Sequence, residues 1–167
     1  MSAATRRPGG SREAGAGRPR RRSRGALGRL HRIDPTRVPP TVERREQESP
    51  VPASARFCHN DLCADHVLVD ARCHLTGLVD WTDAMVTDPV LDFAGLITIA
   101  GWRFVDLVLA RYPLELDETF VERLERTTRA LTRRWLEEAE AVDPAEVPKH
   151  REWVARAFAG GPRRQAR

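Results

Sequence analysis

Lysine is almost absent from this chain of 167 residues: only Lys149 is a lysine among its 28 basic residues. Long apolar runs are missing as well. The longest, from Phe93 to Trp102, falls well short of the roughly 20 residues that a membrane-spanning helix needs, so no membrane segment is predicted. The cysteines number three. An odd count without a secretory signal predicts reduced thiols and a cytoplasmic location.

Zinc is a poor match for the cysteines that are present. Cys58 and Cys63 are separated by four residues, and Cys63 and Cys73 by nine. Structural zinc sites instead pair their ligands in two close groups. His59 and His74 lie beside these cysteines, yet the spacing favours unligated thiols, and Cys58 is expected to face the core.

The basic character of the chain is concentrated at its N-terminal end. Residues 1–50 hold 13 arginines and five acids, a net charge of +8, whereas the rest of the chain carries −4. Large apolar residues are sparse there, so we predict a disordered tail over residues 1–50 and a second one over 161–167. An Arg-rich arm could bind nucleic acid. Residues 1–50 contain no aromatic side chain for base stacking, which favours a solvated tail.

Between these tails, residues 51–160 predict one α+β domain in which short strands pack on a helical bundle. β-Branched runs bounded by turn residues predict strands, and apolar residues at helical spacing predict helices. The strands are expected at 56–58, 66–69 and 75–79, the last two as a hairpin, and the helices at 89–112, 117–142 and 143–159. Gly101 is expected to divide the first helix, and Thr119 with Glu122 fits a capping box at the second.

A polar stretch from His59 to His66 carries the residues with the clearest chemistry. Asp61 follows the first strand, and Asp80 follows the hairpin. Because a hairpin returns the chain to its starting end, the two carboxylates can meet. Phosphoryl transfer needs such a pair, one acid to orient and deprotonate the attacking hydroxyl and another to hold a divalent cation. The alternative is that both are ordinary loop acids that cap turns.

Several motifs occur in an order and at distances that are more specific together than singly. They are His59-Asn60-Asp61-Leu62, Val67-Leu68-Val69-Asp70, Gly77-Leu78-Val79-Asp80-Trp81, and Asp88-Pro89 through Asp92-Phe93-Ala94. Together these motifs resemble the aminoglycoside phosphotransferases, over roughly residues 55–160 with the strongest part at 57–96. The resemblance implies the truncated C-terminal catalytic lobe of a kinase-like fold. It also implies transfer of the γ-phosphoryl group of ATP or GTP to a hydroxyl of a small molecule, with Mg²⁺.

The resemblance implies a role for each acid and histidine at the centre of the predicted site. Asp61 would be the catalytic base, and Asp80 and His66 would bind Mg²⁺. The commonest form of the family pattern has Asn at the position of His66, but the macrolide and 2″-aminoglycoside branches carry His there. Imidazole is a poorer ligand for Mg²⁺ than oxygen. The alternative for His66 is a strand-edge histidine without a ligand role.

The remaining residues of the predicted site would support the catalytic loop. By the same resemblance, Asp92 would accept backbone donors from that loop, and His59 would anchor it. Asp83 could contact metal or substrate, although a solvated turn residue is the simpler interpretation.

A complete member of the family also has an N-terminal lobe that holds the nucleotide with a strand lysine and a helix glutamate. No lysine precedes Asp61, so we expect this lobe to be absent and the chain alone to have little or no activity. The alternatives are a non-catalytic remnant and an interaction module that self-associates through the surface left uncovered.

Overall fold

The computed structural model describes residues 25–37 and 54–161, which form the mixed α+β architecture that the sequence predicts. The helices are α1 (Ala26–Leu30), α2 (Val90–Leu109), α3 (Phe120–Val142) and α4 (Val147–Phe158). The strands are β1 (Arg56–Cys58), β2 (Val67–Val69), β3 (Leu75–Leu78) and β4 (Met85–Thr87). Among these described helices, none combines the length and the apolar character that crossing a bilayer requires.

The strands form two separate antiparallel pairs. β1 pairs with β4, and β2 pairs with β3 so that Leu68 lies opposite Gly77. The predicted hairpin of β2 and β3 is therefore confirmed. Two connections, residues 59–66 and 79–84, run between the two sheets, one in each direction. This topology places both polar segments of the predicted site between the same two sheets.

The core lies where α2 packs against α3 and α4. Phe93 of α2 and Phe120 and Leu124 of α3 are almost fully buried. The rings of Phe93 and Phe120 meet edge to face with their centroids 5.3 Å apart, which is a favoured aromatic geometry. Phe120 and Leu124 are about one helical turn apart, so α3 presents them on a single apolar face.

The sequence predicted a break in α2 at Gly101 and a capping box for α3 at Thr119, and the structure has only the break. Helix α2 breaks at Gly101, as predicted, because this residue has φ 76°, which glycine adopts without steric cost. The capping box predicted at Thr119 is wrong. Thr119 Oγ1 donates to Asp117 Oδ1 at 2.7 Å, and no side-chain hydrogen bond caps α3. The carboxylate two residues upstream offers the hydroxyl a local partner, which competes with the role of a helix cap.

The disorder predicted for residues 1–50 is wrong for residues 25–37. Helix α1 buries Leu27 and Leu30 in the core, and His31 directly after it is 1% exposed. The two leucines are three residues apart, which places both on one face of a helical turn. A composition averaged over the whole segment hid this short apolar face. The other residues of the predicted tails lie outside the described residues: 1–24, 38–50 and 162–167.

Helix α2 approaches the backbone of the connection after β1 at Gly95. A Cβ at this position would lie 2.2 Å from the carbonyl oxygen of Leu62. We expect Gly95→Ala to lower the free energy of unfolding by about 1–3 kcal/mol, because the backbone must shift to accept the methyl group. Urea denaturation measures this change.

Gly77→Ala is the matched control for that variant. A Cβ at Gly77 would lie 3.6 Å from the nearest atom, Leu68 Cδ1, so the methyl group fits without a shift. Equal stability of the Gly95→Ala and Gly77→Ala chains would contradict the close approach of α2 to Leu62.

Arg123 ties the chain before α2 to the chain before α3. Its Nε donates to Asp88 Oδ2 at 2.8 Å, and its Nη2 donates to Asp117 Oδ2 at 2.9 Å. The Arg123 guanidinium and the Thr119 hydroxyl hold the pKa of Asp117 well below its ordinary value of 3.8. The folded chain therefore favours the ionised form of this carboxyl more strongly than the unfolded chain does.

Asp117→Asn is expected to lower the free energy of unfolding near neutral pH by about 0.5–1 kcal/mol, a modest value because the carboxylate is exposed to solvent. Since the pKa is lower in the folded state, this stability is present above pH 3.8 and is lost as the pH falls further. Urea denaturation of both chains at neutral and acidic pH checks this. A difference that persists unchanged in acid would show that the Asp117 charge is not its source.

Candidate active site

A carboxylate on α2 holds the connection between β1 and β2 by accepting hydrogen bonds from its backbone. Asp92 is fully buried. Its Oδ2 accepts the backbone N–H of His59 at 3.0 Å, and its Oδ1 accepts that of Asn60 at 2.7 Å. These are the backbone donors that the resemblance implied for Asp92. Asn60 has φ 67°, a left-handed conformation that turns the chain just before Asp61.

His59 joins this loop to the end of β3. Its side chain is fully buried, and Nε2 donates to the carbonyl oxygen of Val79 at 2.9 Å. The ring also packs against Trp81, with centroids 4.6 Å apart. Nδ1 has no hydrogen-bond partner among the described residues. A buried imidazole that donates to a backbone carbonyl positions the chain, in this case the residue before Asp80.

His66 lies between the two carboxylates that the sequence predicted to meet. Its Nδ1 donates to the backbone carbonyl of Asp61 at 2.7 Å. The same nitrogen lies 3.4 Å from Asp61 Oδ2, while Nε2 lies 3.6 Å from Asp80 Oδ2. The structure thus brings Asp61, His66 and Asp80 into one cluster. Because Nδ1 carries the proton, Nε2 of the neutral ring presents a lone pair to Asp80.

Asp80 is kept ionised by its own turn. Its Oδ1 accepts the hydroxyl of Thr82 at 2.7 Å and the backbone N–H of the same residue at 3.4 Å. The Thr82 hydroxyl is the main cause that lowers the pKa of Asp80, and its backbone N–H adds to it. Asp80 itself has φ 59°. These contacts occupy Oδ1 and leave Oδ2 to face His66.

The residues present in this cluster fit a divalent cation. When the His66 ring is neutral, its Nε2 and Asp80 Oδ2 both present lone pairs, and they face each other 3.6 Å apart, beyond hydrogen-bonding distance. Two such atoms repel each other unless a cation or a proton lies between them. A carboxylate oxygen together with an imidazole nitrogen suits Mn²⁺ and other divalent first-row transition metals. The same pair binds Mg²⁺ less well, because Mg²⁺ prefers oxygen ligands.

Asp83 is placed in the turn that follows Asp80. It is partly buried, next to the buried Ala84. The contact with metal or substrate that the sequence suggested for Asp83 stays a prediction.

Two residues near the loop were missed by sequence reasoning. His31 Nε2 lies 2.9 Å from Asp92 Oδ2, and Lys149 Nζ on α4 lies 3.1 Å from Asp65 Oδ2. His31 could have been found from the leucine spacing of α1, which directly precedes it. Nothing in the sequence pairs Lys149 with a loop acid 84 positions away.

A second group of potential metal ligands is already saturated by hydrogen bonds. His31, Cys58 and Asp92 are all buried and close together. Asp92 accepts backbone and imidazole N–H groups, and the Cys58 thiol lies 3.4 Å from the carbonyl oxygen of Arg56. Burial raises the pKa of Cys58, which opposes the thiolate that zinc requires. Hydrogen bonds thus join these residues to one another and to the backbone.

Comparison with known proteins places this geometry in a family. The family model described as "Phosphotransferase enzyme family" matches residues 2–138. The chain belongs to the phosphotransferase enzyme family. The match begins well upstream of residue 55, where the sequence analysis placed the start of the resemblance, and includes α1. It ends before α4, which the resemblance had included.

The chain is also similar to one bacterial protein whose function is not described. The chain is 39% identical over 61 residues to YcbJ of Bacillus subtilis (strain 168), a protein that is itself described as uncharacterized. The similarity covers 36% of this chain and 20% of the relative. The chain therefore spans about a fifth of the length of that relative.

The left-handed backbone at Asn60 gives a direct test of the loop geometry. Asn60 has φ 67°, so Asn60→Gly is expected to keep the stability of the chain, and Asn60→Ala to be less stable than Asn60→Gly by about 1–2 kcal/mol. Urea denaturation of both variants measures this difference. An alanine variant as stable as the glycine variant would contradict the strained turn before Asp61.

Proposed function

We propose that this protein transfers the γ-phosphoryl group of ATP or GTP to a hydroxyl of a small molecule. The observation that carries the proposal is the meeting of Asp61, His66 and Asp80, with His66 ring nitrogens 3.4 Å and 3.6 Å from the two carboxylates. Membership of the phosphotransferase enzyme family supports the reaction class.

Asp61 acts as the catalytic base in this proposal. Its side chain is 46% exposed, so an acceptor hydroxyl can reach it from solvent. The residue before it, Asn60, is held by Asp92, which fixes the start of the loop. A carboxylate on a fixed loop orients the hydroxyl toward the phosphoryl group and receives its proton as the new bond forms.

Asp80 and His66 would hold the divalent cation. When bound, Mg²⁺ or Mn²⁺ offsets the negative charge of the phosphate oxygens. Thr82 occupies Oδ1 of Asp80 and thereby directs Oδ2 to the shared position. The Nδ1 proton of His66 is held by the carbonyl oxygen of Asp61, so Nε2 keeps the lone pair that a metal ligand needs. That hydrogen bond also joins the metal ligand to the base.

A nucleotide would need a positive charge beside its phosphates. A complete kinase-type site places a lysine on the phosphates, and the one lysine of this sequence lies on α4. Lys149 Nζ binds Asp65 at 3.1 Å and Glu146 at 3.0 Å. Choice between ATP and GTP therefore stays a proposal, as does the acceptor, which belongs to the class of small molecules with a free hydroxyl.

Divalent-cation binding tests the proposal first. Full-length wild-type protein is expected to bind Mn²⁺, and Asp80→Asn is expected to weaken that binding by at least about tenfold, because a charged ligand is lost. Electron paramagnetic resonance of free Mn²⁺ measures the affinity. Asp70→Asn, at the far end of the same hairpin, is the matched control and should bind as the wild type does. Equal affinity in the Asp80→Asn and wild-type chains would contradict the assignment.

Transfer itself separates the base from the metal ligand. Asp61→Asn is expected to keep Mn²⁺ affinity within a few fold. The sequence predicts a low rate of transfer for this chain alone, and Asp61→Asn is expected to lower that metal-dependent release of nucleoside diphosphate by roughly 10²–10⁴-fold. The assay uses Mg²⁺ with ATP or GTP and a panel of small alcohols. Failure of the wild-type chain to bind either nucleotide in the presence of Mg²⁺ or Mn²⁺ would contradict a phosphotransferase role for this chain alone.

A second candidate is an interaction module, which is favoured by exposed apolar side chains on the hairpin. Leu68 is 45% exposed, Val69 57% and Leu75 43%. Apolar side chains grouped on one element are typical of contact surfaces. Sedimentation of the wild type and of a Val69→Thr, Leu75→Thr variant tests it: association that the variant loses supports this candidate, and a monomeric wild type opposes it. Binding to nucleic acid was suggested only by residues 1–50, most of which lie outside the described residues.

A further inference from the structure

We propose that His31 is a positioning residue, which holds the Asp92 carboxylate in the orientation that fixes the catalytic loop. The proposal deepens the proposed function, on which it rests for its effect on the metal site. Its structural core, the restraint of two backbone N–H groups, is measurable without any metal or nucleotide.

Asp92 receives three hydrogen bonds in a fully buried position. His59 N–H and His31 Nε2–H reach Oδ2 at 3.0 Å and 2.9 Å, and Asn60 N–H reaches Oδ1 at 2.7 Å. A buried carboxylate is costly unless its oxygens are satisfied. His31 is the only one of these three donors that does not belong to the loop, so it restrains Asp92 independently of the loop.

His31 is itself held in a single orientation. Because Nε2 donates to the carboxylate, Nδ1 of the neutral ring accepts from the hydroxyl of Tyr112. Burial raises the pKa of Tyr112, which keeps the proton on that hydroxyl. The imidazole ring also lies near Phe93, with centroids 6.2 Å apart. Asp92 lies at the start of α2 and Tyr112 just after its C-terminal end, so His31 connects these two parts of the chain.

The network ends next to the two carboxylates of the proposed site. Asn60 immediately precedes Asp61. His59 donates to the carbonyl of Val79, which immediately precedes Asp80. Rotation of the Asp92 carboxylate would release both backbone N–H groups at once and would loosen the chain on both sides of the metal position. Packing alone does not require a donor on His31, whereas this role does.

Backbone amide hydrogen exchange of the ¹⁵N-labelled full chain tests the proposal. His31→Leu replaces the imidazole with an apolar side chain of similar size and so removes both ring nitrogens. It is expected to accelerate exchange at His59 and Asn60 by about tenfold more than at the β1–β4 amides, a factor that corresponds to ~1.4 kcal/mol. Val105→Ala is the buried control, because it leaves a cavity in the distant half of α2. It should accelerate exchange without singling out His59 and Asn60.

A conservative variant distinguishes positioning from packing. The side-chain amide of glutamine can place an N–H near the position of Nε2, so His31→Gln is expected to restore the protection of His59 and Asn60 that His31→Leu loses. If His31→Leu does not fold, Tyr112→Phe carries the test, since it removes only the hydroxyl that orients the ring. It should show the same selective loss, smaller in size.

The outcomes separate this inference from the proposed function. Selective loss of protection in His31→Leu or Tyr112→Phe supports the positioning role, whether or not the chain binds Mn²⁺. Loss of Mn²⁺ affinity in His31→Leu with recovery in His31→Gln supports its extension to the metal site. Uniform acceleration, as in Val105→Ala, or a His31→Gln chain no better protected than His31→Leu overturns the proposal. Absence of Mn²⁺ binding by the wild type contradicts the proposed function alone.

Discussion

The arrangement of the candidate site depends on one buried carboxylate. Asp92 has no exposed surface, and its two oxygens accept from two successive backbone N–H groups of the catalytic loop and from an imidazole. An ionised carboxylate in such a place is tolerated only with full hydrogen bonding, so the carboxylate and the loop require each other. The close contact of Gly95 with Leu62 brings α2 near enough to the loop for Asp92 to accept these hydrogen bonds.

The two small sheets bring the loop held by Asp92 next to the connection that carries Asp80. Both connections between them pass through the same region, and His59 joins them by donating to the carbonyl of Val79. The left-handed residues Asn60 and Asp80 turn each connection. His66 then bridges the two carboxylates, with one nitrogen committed to a backbone carbonyl and the other facing Asp80. Backbone hydrogen bonds fix the position of the two connections, and the carboxylates of Asp61 and Asp80 stay partly exposed to solvent.

The sequence predicted those parts of the site that follow from local order. Three features depend on residues close together in the chain. They are the hairpin, the approach of Asp80 to the loop that carries Asp61, and the break at Gly101. Other features depend on competition or on distance. Thr119 looked like a helix cap, but Asp117 is a nearer partner. The Arg-rich composition of residues 1–50 concealed His31. Its contact with Asp92 joins residues 61 positions apart, which no local sequence pattern predicts.

Pulsed electron paramagnetic resonance of the Mn²⁺-loaded chain tests the central claim most directly, with histidine labelled by ¹⁵N. The claim is that Asp80 and the ring of His66 bind one cation beside the Asp61 base. The account predicts a coupling between Mn²⁺ and a histidine nitrogen that vanishes in His66→Asn and persists in His74→Asn, the exposed histidine of the hairpin turn. A bound Mn²⁺ without histidine coupling, or a coupling that survives His66→Asn, would contradict it.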